Sequence, residues 1–111
     1  MTYMSNLIFA LLVTLSAQTV ADSVECGGLV TIIMANSSSC ADTSGVKHLA
    51  YRTDKTTNNW LCTETSAGSS MVLAAYIASK PVSVTIPNQT TGTTCGTLQG
   101  YWLRDLNVTL Q

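Results

Sequence analysis

The sequence predicts a β-rich fold with one helix, closed as a five-stranded barrel and stapled by two disulfides. Three observations predict it. Short β-branched runs recur with turn residues between them, the hydrophobic period changes once in mid-chain, and four cysteines stand far apart.

The leading residues do not read as part of that fold. Residues 7–15, Leu-Ile-Phe-Ala-Leu-Leu-Val-Thr-Leu, form an apolar run, whereas a membrane span needs about 20 such residues. Small residues follow at Thr19 and Ala21, the pattern a signal peptidase reads. Residues 1–21 are therefore expected to be a signal peptide, although residues 1–6 lack the usual Lys or Arg. A retained anchor is the competing reading. Residues 22–111 are then one domain with no membrane span, secreted or periplasmic.

The five basic and six acidic residues all lie beyond Ala21. So even a balance gives no electrostatic reason to seek nucleic acid or an anionic membrane. The surface must be built from Thr, Ser and Asn instead, which suits neutral polar ligands. A domain of about ninety residues buries only about two-thirds of its unfolded surface. Cys26, Cys40, Cys62 and Cys95 read as two disulfides, each worth ~2–4 kcal/mol. A four-thiolate metal site is the alternative, but no Cys-x-x-Cys pair occurs. Neither a metal nor a cofactor is expected.

Gly27-Gly28 precedes residues 29–34, Leu-Val-Thr-Ile-Ile-Met, which read as a well-buried first strand. Residues 36–45 are a turn-rich loop, residues 46–52 a second strand, and residues 60–63 a short third strand. The period then changes. Ser66 to Ser70 offer N-cap hydroxyls, and residues 71–78, Met-Val-Leu-Ala-Ala-Tyr-Ile-Ala, follow as helix. Lys80 suits the last turn and Pro81 stops the helix.

Leu73, Tyr76 and Ile77 share one helix face; Met71, Ala75 and Ala78 share the other, and both are apolar. A helix apolar on both sides needs cover on both sides. The sheet can supply one, and a second subunit is expected on Met71, Ala75 and Ala78. Tolerated exposure of small alanines is the alternative. In residues 81–87, Val82, Val84 and Ile86 alternate inward against Ser83 and Thr85. A Thr- and Gly-rich loop holds Cys95. In the last strand Leu106, Val108 and Leu110 alternate against Asp105, Asn107 and Thr109.

Three strands, a helix and two strands is the order of an OB-fold, a five-stranded partly open Greek-key barrel. A small α+β sandwich is the alternative. The OB order favours the pairs Cys40–Cys62 and Cys26–Cys95, while the sequence leaves all three pairings open.

Catalytic chemistry is hard to assemble, and no enzyme is expected. His48 stands alone, with no local Ser and carboxylate to complete a nucleophilic group. It reads as a solvated or capping residue. Asp42, Asp54, Glu64 and Asp105 are scattered rather than paired. No phosphate loop or dinucleotide fingerprint occurs.

Binding has better candidates. Tyr51, Arg52, Asp54 and Lys55 bring a ring, both charge signs and hydrogen-bonding groups to one turn, with Trp60 just beyond. Sugars use such surfaces: their C–H bonds stack on a ring and their hydroxyls bond to polar side chains. Tyr101-Trp102 stand together at the start of the last strand, Trp102 reading as core. Sequons at Asn36, Asn88 and Asn107 read as accidents of composition.

The leader, the Trp60-Leu61-Cys62 strand, the apolar helix, Lys80-Pro81-Val82-Ser83-Val84 after it and Cys95 before a final strand form a recognisable layout. It resembles the small secreted OB-fold B subunits of bacterial AB-type toxins, the subtilase-cytotoxin and pertussis-like group. The resemblance covers most of residues 22–111 and rests on layout and spacing. It implies a virulence-associated homopentamer with the helix lining a central pore, cell-surface glycans as partners, and a toxin A subunit carried on the ring. Stand-alone relatives without an A subunit share the layout. The main alternative is a monomeric, disulfide-stapled protein-binding or inhibitor domain.

Overall fold

The computed structural model describes residues 22–111; the signal peptide expected at residues 1–21 lies outside the described residues. The elements run β1 (Asp22–Met34), a 3-10 turn (Ser38–Cys40), β2 (Ala50–Thr53), β3 (Trp60–Cys62), α1 (Ser66–Ala78), β4 (Pro81–Gln89), β5 (Trp102–Arg104) and β6 (Asn107–Leu110). The fold is β-rich with one α-helix among the described residues, and it carries two disulfides.

The strands make one six-stranded open sheet in the order β5-β3-β2-β1-β4-β6. This replaces the expected five-stranded closed barrel. The physical reason is a break in the last strand at Asp105-Leu106. β5 pairs in parallel with β3, and β6 pairs antiparallel with β4. Between them the Asp105 N–H bonds the Cys62 carbonyl at 3.0 Å and the Leu106 N–H bonds the Thr85 carbonyl at 2.7 Å. The two edge strands are thus consecutive in the chain.

β1 is long enough to serve two partners. Its first part, through Leu29, pairs with β4; its second part, from Val30, pairs with β2, with a bulge between Val30 and Ile32. Gly27 lies against β4, where a Cβ would stand 2.2 Å from the Val82 carbonyl oxygen. β1 is not the well-buried strand expected: Cys26 and Val30 are buried, but Leu29 and Ile32 are 43% and 46% exposed. A sheet with a single covering helix leaves much of its other face to water. In β4 the residues expected inward, Val82, Val84 and Ile86, are buried. Thr85, expected outward, is buried and donates to Glu25 Oε1 at 2.9 Å.

α1 begins five residues before its expected start. Thr65 is the N-cap, accepting from the Gly68 N–H at 3.0 Å, so Ser66, Ser69 and Ser70 are helical residues rather than caps. Ser79 ends the helix at φ 53°, which leaves Lys80 beyond the last turn. The helix packs against β1 and β6 and buries Val72 and Ala75. The interface expected at Met71, Ala75 and Ala78 is corrected by this packing. Ala75 is 1% exposed in the chain's own core, Met71 is half-buried beside it, and Ala78 is exposed at the helix end. Leu73, Tyr76 and Ile77 are the uncovered apolar residues, at 42%, 42% and 74% exposure.

The main core joins Val30, Tyr51, Leu61, Val72, Ala75, Val82, Val84 and Ile86. Leu61 enters it while its neighbours Trp60 and Cys62 join a second cluster with Cys40 and Ala50, as period-two alternation requires. Cys40–Cys62 lies in that second cluster, and Cys26–Cys95 ties the long loop before β5 to β1.

Candidate functional site

Three strands line up a row of large side chains. The register Ala50 to Cys62 and Tyr51 to Leu61 carries Arg52 opposite Trp60, and Trp60 is opposite Trp102 on β5. Cross-strand neighbours of this kind lie within contact distance. The Arg52 guanidinium sits 4.4 Å from the Trp60 ring centroid, and the two indoles stack at 5.6 Å with an interplanar angle of 11°. Trp60 lies on the middle strand, so its neighbours approach from its two sides.

Tyr101 completes the group. Its ring meets Trp102 edge-on at 5.6 Å, and its hydroxyl accepts from Arg52 Nη2 at 3.0 Å. At 55% exposure it is the most open ring of the four-residue surface. Asn59 and Trp60 hold it in place. The Asn59 amide donates to the Gly100 carbonyl at 2.6 Å, and the Trp60 N–H donates to the Tyr101 carbonyl at 2.8 Å. Arg52 has no carboxylate partner among the described residues, and its Nε is buried without a hydrogen bond. A guanidinium held by rings and one hydroxyl, with no carboxylate, keeps donors for something else.

Trp102 also borders a groove of about 350 Å³ that Asn88, Gln89, Gln99 and Arg104 line. Gln89 is buried and accepts from the Gln99 N–H at 2.9 Å. Side-chain amides beside an indole give acceptors and donors next to an apolar face.

The five residues singled out in the sequence separate in the structure. Arg52 and Trp60 meet as above, but Trp60 is only 7% exposed and belongs to the second core cluster, with Arg52 and Trp102 against its ring, so it offers no open face to a ligand. Tyr51 is fully buried and points the other way, so it offers no face to a ligand. Its hydroxyl donates to Asp105 Oδ2 at 2.7 Å, and burial beside that carboxylate pushes it far above the ordinary phenol range. Asp54 spends Oδ1 on the Leu29 N–H at 3.2 Å and so holds the bend of β1. Lys55 lines a different groove, of about 400 Å³, with Gly28, Glu25 and the Cys26–Cys95 bridge.

Two groups outside this row differ from expectation. Asp105, read as outward, is 3% exposed; it accepts from Tyr51 and from the Glu64 N–H at 3.1 Å. Burial pushes its carboxyl up, against the pull of those hydrogen bonds. His48, read as a solvated or capping residue, is 8% exposed rather than solvated, and its Nε2–H donates to Asp42 Oδ2 at 3.0 Å. That hydrogen bond leads in holding the Asp42 carboxyl below its ordinary range.

The class defined so far is a small disulfide-stapled β domain whose partly buried Arg52, Trp60 and Trp102 stack beneath one exposed ring, Tyr101. No family model, curated protein or solved structure matches the chain. Among the described residues no helix is long and apolar enough to cross a membrane, and no group of three His, Cys, Asp or Glu side chains could hold a metal ion.

Proposed function

We propose that this chain is an exported glycan-binding module that works as part of an oligomer, built as a B subunit of an AB-type toxin or a stand-alone relative of one. The observation that carries the ligand reading is the exposed Tyr101 ring at the end of the Arg52-Trp60-Trp102 stack, with Trp60 as the buried base of that stack. Sugar C–H faces stack on such rings, and a guanidinium with unused donors bonds sugar hydroxyls. The amide-lined groove beside Trp102 supplies further polar partners. Catalysis is not part of this reading, because no nucleophile-and-base pair lies in the row.

The barrel reading belongs to the same proposal. Edge strands β5 and β6 are consecutive, and the residues between them bond to both β3 and β4. Together they correspond to the single final strand of an OB-type layout, in a sheet that is itself open. Two disulfides fit an oxidising compartment, which supports a secreted or periplasmic location.

Assembly is proposed through the outer helix face, Leu73, Tyr76 and Ile77, in the homopentamer that the layout implies. A glycan array of the oxidised protein tests the ligand: wild-type signal is expected, with loss in Tyr101→Ala. No glycan above background sinks the reading. Light scattering tests assembly, and a monomer at micromolar concentration overturns the pentamer in favour of a monomeric binding or inhibitor domain.

A further inference from the structure

The connection between β4 and β5, residues 90–101, is the longest stretch of the described chain without a strand or helix. Three ties hold it to the body. At its base the Gln99 N–H bonds Gln89 Oε1 at 2.9 Å, and the Thr90 hydroxyl bonds Gln99 Oε1 at 2.8 Å. Leu98 packs against the main core. At the tip Cys95 is bridged to Cys26 on β1. Opening that bridge releases the tip, while Gln89, Leu98 and Gln99 keep the loop attached. The bridge is thus an attachment of a surface loop, and the sheet stands without it.

Its two sulfurs are not equally open. Cys26 is 4% exposed on β1, whereas Cys95 is partly exposed. Access decides which sulfur an incoming thiolate attacks, so exchange enters at Cys95. Cys40 and Cys62, at 0% and 1% exposure, are closed to the same chemistry.

Both sulfur-bearing residues border a groove of about 400 Å³, and Glu25, Lys55 and Ser83 line it with them. The groove carries one cation and one anion. Lys55 is exposed and has no carboxylate partner among the described residues. Its stem runs beside Gly28, two residues from Cys26, since a Cβ on Gly28 would meet Lys55 Cγ at 3.1 Å. Glu25 is exposed and has no cation partner there either. Its carboxylate accepts from the Thr85 hydroxyl at 2.9 Å and the Ser83 hydroxyl at 3.4 Å. Both charges are left for a ligand that carries both signs.

We propose that Cys95 is a modification site for a small thiol bearing a carboxylate and an ammonium group, of the cysteine or glutathione class. Such a thiol seats in the groove with its carboxylate toward Lys55 and its ammonium toward Glu25. Its thiolate attacks Cys95 Sγ. The new bond joins the ligand sulfur to Cys95 as the bond to Cys26 breaks. The electron pair leaves on Cys26 Sγ, which takes a proton from water. One disulfide is exchanged for another, so the step consumes no oxidant or reductant. A second molecule of the thiol completes a reduction: it leaves with the first as their own disulfide, and Cys95 becomes a thiol. Its sulfur then has the Glu25 carbonyl oxygen 3.2 Å away as an acceptor. The groove shares no lining residue with the aromatic row, so this site does not rest on the glycan reading.

The test is incubation of the folded, oxidised protein in a glutathione redox buffer, quenched in acid and read by intact mass and peptide mapping. One glutathione on Cys95 is expected, with Cys26 free and Cys40–Cys62 closed. Rates are then compared between glutathione and mercaptoethanol, a thiol without charged groups. Lys55→Ala should slow the glutathione reaction about threefold and leave that of mercaptoethanol within about 1.5-fold. Lys80→Ala removes the same charge elsewhere and should leave both within that margin. No adduct while the protein stays folded, or an adduct on Cys26, Cys40 or Cys62, overturns the proposal. So does a free dithiol with no adduct at any time, which marks plain reduction. Equal slowing of the two thiols by Lys55→Ala, or slowing of glutathione as large in Lys80→Ala, removes the seat in the groove and overturns it as well.

Discussion

At Gly28 the backbone takes φ 107°, and a Cβ there would stand 1.9 Å from Asp54 Oδ1. That carboxylate is the one that accepts from the Leu29 N–H where β1 changes partners. Gly28→Ala should therefore destabilise by about 1–3 kcal/mol, since both backbone and neighbour resist the methyl; urea unfolding midpoints measure it. Gly45, also at positive φ but with nothing near its Cβ position, is the comparison that isolates the clash. Asp105 gives a pH-dependent case. Burial raises its folded-state value above the unfolded one, so the folded chain holds the proton more tightly. Its contribution is then greatest in acid and declines as pH rises from the ordinary carboxylate value of about 3.9 through the raised folded value. Asp42 runs the other way: its lowered value adds stability above the ordinary range, which is lost as pH falls through the folded value. Asp105→Asn keeps an acceptor and removes the titration. Its cost relative to wild type should grow as pH falls from 7 toward 4, and a cost that shrinks in acid contradicts the direction. Asp105→Ala leaves the Tyr51 hydroxyl and the Glu64 N–H stranded and should cost about 1–3 kcal/mol for each.

For α1 the sequence tells that a helix is present but not which way it faces. Apolar residues surround it, so the pattern carries no direction, and only packing on β1 and β6 selects Val72 and Ala75 as the inner face. Ala75→Leu should cost about 1–3 kcal/mol by overpacking, whereas Ala78→Leu, on an exposed position, should stay within about 0.5 kcal/mol. Thermal unfolding of the two variants decides the facing, and equal effects contradict it. β4 was legible because Val82, Val84 and Ile86 alternate without interruption. The last strand was not. Its alternation places Leu106 inward, yet Leu106 is 59% exposed because the chain switches sheet edges there. The site divides along the same line. Arg52 and Trp60 face each other across one short turn, which local sequence can suggest. Tyr101 and Trp102 join them only through a parallel pairing of β5 with β3, and no local pattern encodes a parallel partner. His48 shares a groove with Ser66, Ser69 and Ser70, which lie about twenty residues on, and no local pattern joins them.

Over the whole molecule the two disulfides divide the work of holding distant segments. Cys26–Cys95 spans 69 residues and Cys40–Cys62 spans 22, so loop-closure entropy makes them worth roughly 4 and 3 kcal/mol. Their exposure differs more than their entropy does. Cys40 and Cys62 are 0% and 1% exposed within the second cluster. Cys95 is partly exposed on the long loop before β5 and borders an open groove. Thiol exchange needs an attacking thiolate to reach a sulfur. A mild reductant under native conditions should therefore open Cys26–Cys95 first and leave Cys40–Cys62 closed until the molecule unfolds. Timed alkylation followed by mass spectrometry should show a species labelled at Cys26 and Cys95 before any label at Cys40 or Cys62. Loss of that first bridge frees the loop that leads into Tyr101, so Tyr101 and Trp102 fluorescence should change with the first step. Four thiols appearing together, or first label on Cys40 and Cys62, contradict this order.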